Sequence, residues 1–272
     1  MRIKPKKSLG QNFLVDKNIR LKIIEACGFS KEDIVLEIGP GSGEMTQEIA
    51  PKVKRVLAVE IDKNLCDALR RRFALGKNVT IVNGDILKTD LSPYFKRHIH
   101  RVKVFGNIPY YITTPILGRI FKYRKHIKTV FLTVQKEFAA RLAAPAGSRV
   151  YGSLSCFVRY YSEPKVLFTV KNACFYPKPK VDSSFLRLEL KEKLPAGRKE
   201  EACFFAVVRA AFGQRRKKIK NSLTRLLEKE EIETILKECG IQADTRAESL
   251  DLADYLAIAS SIKKSKKILT KP

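Results

Sequence analysis

Short apolar runs alternate with amphipathic stretches over the first two thirds of the chain. The runs have the length and β-branched composition of strands, and the stretches carry apolar residues at helical spacing. The predicted strands are 34–39, 55–62, 79–86, 102–105, 129–134, 157–161, 165–170 and 185–190. Helices are predicted from the turn after the first strand to about residue 50, and at 64–73, 115–123 and 137–144. This alternation is typical of an α/β sheet.

The last third of the chain has a different pattern. Residues 191–199 contain Pro195, Gly197 and mostly charged side chains, which is typical of a linker. Beyond it, four stretches have apolar residues at helical spacing, namely 201–212, 219–228, 232–239 and 252–263. We therefore predict an α/β domain at 1–194 and a small all-helical domain at 195–272.

The charge of the chain points to a polyanionic partner. It has 54 Lys and Arg against 28 Asp and Glu, a net charge of +26. With 44% hydrophobic residues there is enough apolar material for a packed core, so disorder is excluded as a class. No stretch approaches the ~20 apolar residues that span a bilayer, and the basic N-terminus is not followed by an apolar signal core. Nucleic acid is therefore favoured over a membrane.

Two basic runs lack any acidic residue. Residues 91–136 hold ten Lys or Arg and all three His of the chain, and a second run covers 209–225. Solvated protein surfaces usually mix both signs of charge. We interpret these runs as contacts to a polyanion.

The cysteines and histidines argue against disulfides and metals. The six Cys are widely spaced without a CxxC pair, whereas disulfide frameworks and zinc sites usually need shorter chains or close pairs. We interpret them as reduced, mostly buried thiols of a cytoplasmic protein. His98 and His100 are interpreted as surface side chains on a basic loop, so no metal site is expected.

A glycine-rich turn follows the first predicted strand. Gly39, Gly41 and Gly43 allow a tight turn and a close approach of the backbone to a ligand at the head of a helix. The dinucleotide fingerprint needs its third glycine at position 44, where Glu44 stands. The spacing suits a ligand that carries an amino acid and a nucleoside. Alone the motif is weak, because Gly-Pro-Gly is also an ordinary turn.

Two acids at the ends of the next strands strengthen that interpretation. Glu60 ends the second predicted strand, at a distance from Gly39 where an acid can accept hydrogen bonds from both ribose hydroxyls. Asp85 lies at the end of the third strand, on the same carboxyl edge of the sheet. Each acid alone could be a turn residue. Together with the glycine turn they predict a nucleoside-binding edge.

The fourth predicted strand leads into Asn107-Ile108-Pro109-Tyr110. The exocyclic amine of adenine is a poor nucleophile because its lone pair is conjugated into the ring. The Asn107 side-chain oxygen and the Ile108 carbonyl could accept its two N–H groups and turn the lone pair toward an electrophile. Pro109 would hold the backbone, and Tyr110 offers a stacking face for an extruded base. Orientation of a sulfonium methyl in line with the amine would then supply much of the rate.

These residues resemble those of the rRNA adenine N6-dimethyltransferases, the KsgA/RsmA family. The resemblance runs nearly from end to end of the chain. It is carried by the segments KSLGQNFL at 7–14, EIGPGSG at 37–43, NIPY at 107–110, ACFYPKPKVDS at 173–183, AFGQRRKK at 211–218 and RAE at 246–248.

The resemblance implies a fold and a set of site residues. The fold is a Rossmann-like class I methyltransferase domain at 1–194 followed by a helical domain at 195–272 that binds RNA or the ribosomal particle. Tyr110 and Phe175 would sandwich the target adenine. The residues that would contact S-adenosyl-L-methionine are Asn12, Leu14, Gly39, Gly41, Glu60, Asp85 and Asn107, with Asp85 on the adenine amine. Lys178 and Tyr111 depart from the residues that many members have there.

The resemblance also implies a reaction. It is the dimethylation of two adjacent adenosines in a hairpin loop near the 3′ end of small-subunit (16S) rRNA, with a role in small-subunit biogenesis. The expected partners are this rRNA and the partly assembled 30S particle, without a membrane or metal. We expect the enzyme to act as a monomer.

Three alternatives remain open. The related resistance methyltransferases act on one adenosine of large-subunit rRNA, but Thr114, Pro115 and the run at 214–217 favour the small-subunit enzyme. Adenine-specific DNA methyltransferases usually have Pro where Ile108 stands. A non-catalytic RNA-binding factor on the same scaffold is disfavoured by the intact Asn107.

Overall fold

A computed structural model describes residues 5–6, 9–95, 102–109, 112–214 and 216–264. Several residues used in the sequence analysis lie outside the described residues: the first two of the 7–14 segment, His98, His100, Tyr110, Tyr111 and Arg215. The chain packs as two units, Met1–Ala139 with Pro164–Leu190, and Ala140–Glu163 with Lys191–Pro272.

Most of the described strands form one sheet. The strands are β1 Phe13–Leu14, β2 Ile34–Ile38, β3 Arg55–Glu60, β4 Val79–Asn83, β5 Val102–Asn107, β6 Ile127–Gln135, β7 Ser162–Val170, β8 Phe175–Tyr176 and β9 Ser183–Leu190. The order in the sheet is β4-β3-β2-β5-β6-β9-β7, while β1 and β8 pair separately. The strands from β4 to β6 are parallel, and β9 runs antiparallel to β6. The predicted α/β sheet is thereby confirmed.

Helices connect the parallel strands, as crossovers in such a sheet require. In chain order, the described helices are α1 Lys17–Cys27, α2 Glu44–Ile49, α3 Lys63–Arg72, α4 Ser92–Phe95, α5 Thr113–Lys122, α6 Lys136–Ala143, α7 Ser153–Tyr161, α8 Arg198–Gly213, α9 Ile219–Ser222, α10 Lys229–Glu238 and α11 Leu252–Lys264. The helices between consecutive parallel strands are α2 to α5. Helix α1 was not among the predicted helices. Asp16 caps its start, where the side chain accepts the Ile19 N–H at 2.9 Å, and the left-handed Gly28 caps its end.

The central strands are apolar on both faces because helices cover both sides of the sheet. Every residue of β2 is buried, including Glu37. On one face, Ile23 and Ile24 of α1 belong to the same buried cluster as Phe105, Phe131 and Phe185. This packing fixes the positions of the strand ends relative to one another, and the candidate site described below is built from those ends.

The strand order reverses at β2. From β2 the chain proceeds through β3 to β4 on one side and then returns to β5 on the other side. Such a reversal opens a crevice outside the carboxyl ends of the strands, where open α/β sheets bind ligands. The glycine turn, Glu60, Asp85 and Asn107 all lie at that edge.

The second unit is helical, and one prediction about it is wrong. Residues 157–161 were predicted as a strand because they are aromatic and β-branched, but they end helix α7. The apolar residues of this segment are also spaced as in a helix, and contacts with α8 decide between the two structures. The ring centroid of Tyr160 lies 4.9 Å from that of Phe204, and the centroid of Tyr161 lies 5.9 Å from that of Phe205. Residues 140–163 therefore pack with the helical unit, although we placed them in the first domain.

The predicted helix at 219–228 is shorter than expected. Helix α9 ends at Ser222, and the chain then forms a 3₁₀ turn over Leu223–Arg225. The other three predicted helices of this unit are present as α8, α10 and α11. Over the described ranges, no helix is long and apolar enough to cross a membrane.

Candidate active site

A cavity lies at the carboxyl edge of the parallel strands. Its walls come from the segment before α1, the turn after β2, the ends of β3, β4 and β5, and the start of α5. It is lined by Leu9 to Leu14, Glu37 to Ser42, Glu44, Met45, Val59 to Ile61, Gly84 to Ile86, Phe105, Asn107, Pro109, Ile112 and Ile116. All seven predicted cofactor-binding residues are therefore brought together around one cavity.

The glycine turn is shaped for close approach. Gly41 has a φ of 59°, and a Cβ there would lie 2.8 Å from the ring of Phe13. Gly39 has a φ of 68°, and a Cβ there would meet nothing within 4 Å. Because Gly39 lines the cavity, the backbone at this point is open to a ligand and not to another part of the chain.

Glu60 fastens the end of β3 to the glycine turn. Its Oε2 accepts the Gly41 N–H at 3.1 Å, and its Oε1 accepts the Asp62 N–H at 3.0 Å. Burial raises the pKa of the Glu60 carboxyl, and the backbone N–H donors of Asp62, Gly41 and Ile61 act against that effect. The two carboxylate oxygens together have about four lone pairs, so the carboxylate can still accept a ribose hydroxyl.

Glu37 is a cavity residue for which we predicted no role. Its carboxyl is 1% exposed and accepts the Thr46 hydroxyl at 2.7 Å. Burial raises the pKa of Glu37 to about 7; the hydrogen bond from Thr46 acts against this, and the charge of Glu60 adds to it. The sequence signal was an acid inside an otherwise apolar strand, which burial of a charge makes costly.

Asp85 sits in a turn just after β4. Its Oδ1 accepts the Leu87 N–H at 2.9 Å, and its carbonyl accepts both the N–H and the hydroxyl of Thr89. These bonds hold the carboxyl at the cavity wall. The contact of Asp85 to a nucleoside base stays a prediction.

Asn107 is held from both sides. Its Nδ2 donates to the Asn12 carbonyl at 2.7 Å, and the next residue, Ile108, donates its N–H to the Thr133 carbonyl at 3.3 Å. With the amide N–H turned toward Asn12, the acceptor Oδ1 points in the other direction within the amide plane. The segment before α1 thus orients the side chain for which we predict a catalytic role.

Two of the predicted catalytic residues, Ile108 and Phe175, are not among the residues that line the cavity. Ile108 is buried, which leaves only its backbone for the proposed carbonyl contact. Phe175 is 4% exposed and belongs to the buried cluster that contains Leu14 and Ile23. The structure therefore does not place the Phe175 ring in position to stack on a base at the cavity. Tyr110 lies outside the described residues.

The remaining chemistry of the described residues is simple. No group of three or more His, Cys, Asp or Glu that could hold a metal ion occurs among them. The six cysteines are free thiols.

The chain is similar to known rRNA-modifying enzymes over nearly its whole length. The family model for ribosomal RNA adenine dimethylase matches residues 2–264. A ribosomal RNA small subunit methyltransferase A from Caldanaerobacter subterraneus subsp. tengcongensis is 42% identical over 96% of this chain and 98% of its own length. The protein of the same name from Oceanobacillus iheyensis is 40% identical over 94% of this chain and 90% of its own length.

Solved structures agree with these sequence matches. A dimethyladenosine transferase from Plasmodium falciparum superposes with a TM-score of 0.82 at 26% identity, covering 94% of this chain and 99% of the other. The 23S rRNA methyltransferase ErmE superposes with a TM-score of 0.74 at 25% identity, covering 92% and 99%. Both similarities extend over the α/β and helical parts of the chain.

Proposed function

Because the chain belongs to the ribosomal RNA adenine dimethylase family, we propose that it dimethylates two adjacent adenosines in a hairpin loop near the 3′ end of small-subunit (16S) rRNA. It is an rRNA adenine N6,N6-dimethyltransferase with the Rossmann-like class I methyltransferase fold. The observation that carries the proposal is the single cavity that joins the glycine turn, Glu60, Asp85 and Asn107.

The methyl donor we propose is S-adenosyl-L-methionine, whose sulfonium supplies an electrophilic methyl group. The donors and acceptors of the cavity fit its parts. Glu60 has lone pairs for ribose hydroxyls, Asp85 can accept from the adenine amine, and the open backbone at Gly39 allows close approach of the amino-acid portion. Asn12 and Leu14 would close the remaining wall.

Asn107 and Ile108 would prepare the target amine. The Asn107 Oδ1 and the Ile108 carbonyl accept the two N–H groups, so that the lone pair of N6 turns toward the methyl group. The bond from the Asn107 amide to the Asn12 carbonyl keeps the acceptor facing the amine. Because alkylation makes the amine acidic, the proton leaves to water without a strong general base.

The roles that we propose around the target base rest on the positions of the residues in the sequence motifs at 107–110 and 173–183. Pro109 lines the cavity and would keep the backbone of the motif rigid. Tyr110 would stack on the extruded adenine. Phe175 could join it only if its ring left the buried cluster.

We further propose that residues 195–272, together with 140–163, contact the RNA or the partly assembled particle. The enzyme would act in the cytoplasm as a monomer and contribute to small-subunit biogenesis. The free cysteines suit a reducing compartment.

One assay tests both the reaction and its site. Labelled methyl donor is incubated with the enzyme and either small-subunit particles or large-subunit rRNA, and the labelled bases are mapped. Asn107→Ala is expected to lower methyl transfer at least a hundredfold, since the amine loses its acceptor, while RNA binding persists. Asn18→Ala, an exposed asparagine of α1, is the matched control. A fully active Asn107→Ala would refute the mechanism, and label confined to large-subunit rRNA would refute the substrate.

A further inference from the structure

The short ladder of β1 and β8 has two unlike faces. Phe13 is opposite Tyr176, and Leu14 is opposite Phe175, so each pair shares a face. Leu14 and Phe175 turn into the buried cluster. Phe13 lies against the glycine turn of the cavity, as the 2.8 Å approach to a Cβ on Gly41 shows. Tyr176 therefore lies on the face that Phe13 presents to the cavity.

Tyr176 is exposed, which is unusual for a large aromatic side chain. Its exposed fraction is 60%, against 4% for the neighbouring Phe175. Exposure costs little for a tyrosine hydroxyl but leaves the apolar ring in water. An aromatic ring held open beside a substrate cavity is available for stacking.

The residues after Tyr176 add positive charge. Lys178 and Lys180 are exposed, and neither forms an ion pair with another described residue. Asp182, the acid of this loop, is already engaged, since it accepts the Asn172 N–H at 3.0 Å and pairs with Lys171. The two lysines are thus left for an external anion.

The loop that carries these lysines is anchored at its far end. The Asn172 Nδ2 donates to the Pro179 carbonyl at 3.3 Å, and the Lys136 N–H donates to the Asp182 carbonyl at 3.0 Å. The backbone that carries Tyr176 and the two lysines is already held by these hydrogen bonds. Binding of a ligand would therefore cost little conformational entropy in this loop.

We propose that Tyr176 is a stacking platform for an unpaired base of single-stranded RNA beside the methyl-transfer cavity, and that Lys178 and Lys180 contact the adjoining phosphates. The inference rests on the proposed function, because it takes RNA as the substrate. A base is stacked through its π-face, so the platform accepts any of the four bases. It would hold a nucleotide next to the target and not the target itself.

The absence of tryptophan from the chain allows a direct test. Tyr176→Trp creates a protein with a single tryptophan at the proposed platform. Leu75→Trp, at a residue 98% exposed in the turn between α3 and β4, is the matched control. The probe is a single-stranded oligoribonucleotide of adenosines, compared with an abasic chain of the same length and charge. We expect base-dependent quenching at position 176 and none at position 75. Equal quenching by the abasic chain, or none by either, would overturn the proposal.

Affinity provides a second measurement. Tyr176→Ala is expected to weaken binding of the oligoribonucleotide about five- to hundredfold, as loss of one stacked base does. Binding should be restored when Phe replaces Tyr176. Unchanged affinity of Tyr176→Ala, or affinity that Phe does not restore, would contradict the stacking role.

The double variant Lys178→Ala with Lys180→Ala should reduce the salt dependence of binding. The control pair Lys52→Ala with Lys54→Ala, at the amino edge of the sheet, should leave the salt dependence unchanged.

Methyl transfer to small-subunit particles, measured in parallel, separates the two proposals. If the wild-type enzyme methylates the particle but the Tyr176→Trp variant does not sense bases, the stacking platform is wrong and the function stands. If the Tyr176→Trp variant senses bases but the wild-type enzyme transfers no methyl group to small-subunit rRNA, the function is wrong and the platform stands.

Discussion

The buried carboxyl of Glu37 is expected to make the stability of the fold depend on pH. In the folded protein its pKa is raised to about 7 from a usual value of 4.5. The folded state therefore binds the proton more tightly than the unfolded state. Stability is lost as pH rises from about 4.5 to 7, because ionisation of the buried carboxyl then opposes folding.

Replacement of Glu37 by Gln should remove this dependence. Gln can still accept the Thr46 hydroxyl but carries no charge at any pH. Urea unfolding at pH 5 and pH 8 is expected to show that Glu37→Gln gains stability relative to the wild type at the higher pH, by about 3 kcal/mol at most. Glu25→Gln on the exposed side of α1 is the control and should leave the pH dependence of the wild type unchanged. An equal difference at both pH values would contradict the assignment.

Individual site residues were predictable where they end a strand. Glu60, Asp85 and Asn107 each stand at a change from apolar to polar sequence, and parallel strands bring their carboxyl ends to one edge. Glu37 stands inside a strand, and its sequence signal, an acid in an apolar run, indicates a buried carboxyl but not a place at the strand end. The burial of Phe175 was also unpredictable from the sequence. Strand β8 has only two residues, and a two-residue pattern does not show which of them faces the core and which faces the cavity.

Among the elements, the glycine turn after β2 is expected to be sensitive to substitution. Gly41→Ala would place a methyl group against the Phe13 ring at a φ that side chains rarely adopt. It is expected to cost roughly 1 kcal/mol or more of stability and to weaken binding of the methyl donor, measured by calorimetry.

Gly118→Ala is the matched control for that substitution. Gly118 lies within α5, and a Cβ there would meet nothing within 4 Å. Alanine in a helix interior is expected to stabilise the protein by about 1 kcal/mol without change in donor binding. Donor affinity in Gly41→Ala equal to that of the wild type would mean that the turn tolerates displacement of Phe13.

Elements with long regular patterns were predicted, and short or ambiguous ones were not. Strands β2, β3, β5 and β6 are predictable from apolar runs because most of their residues are buried, whereas the edge strand β4 is only half-buried. The strand prediction at 157–161, the end of α7, is wrong because the aromatic residues there favour both structures, and contacts with α8 decide between them. Strands β1 and β8 are too short to have any periodicity.

At the scale of the whole molecule, the positive charge should govern affinity for the ribosomal particle. Lys122, Lys125 and Lys128 are exposed in the described part of the first basic run. In the second unit, Arg149, Arg216 and Arg246 line an open pocket.

Binding should therefore fall steeply with salt. Displacement of counterions predicts about a thousandfold loss of affinity between roughly 50 and 200 mM salt if some six phosphates are contacted. Arg216→Glu with Arg246→Glu is expected to lower particle affinity more than tenfold, whereas Lys237→Glu, on an exposed face of α10, should have little effect. Filter binding over a salt series measures both. A flat salt response would remove the electrostatic argument.

The pairing of β1 with β8 has a consequence for biosynthesis. Phe13 and Leu14 are translated long before their strand partners Phe175 and Tyr176. The nascent chain can assemble β2 to β6 while that wall of the cavity is still unpaired. A chain released before residue 175 would lack β8, the strand that pairs with Phe13 and Leu14 at the cavity wall, so we expect this wall to be ordered late in translation.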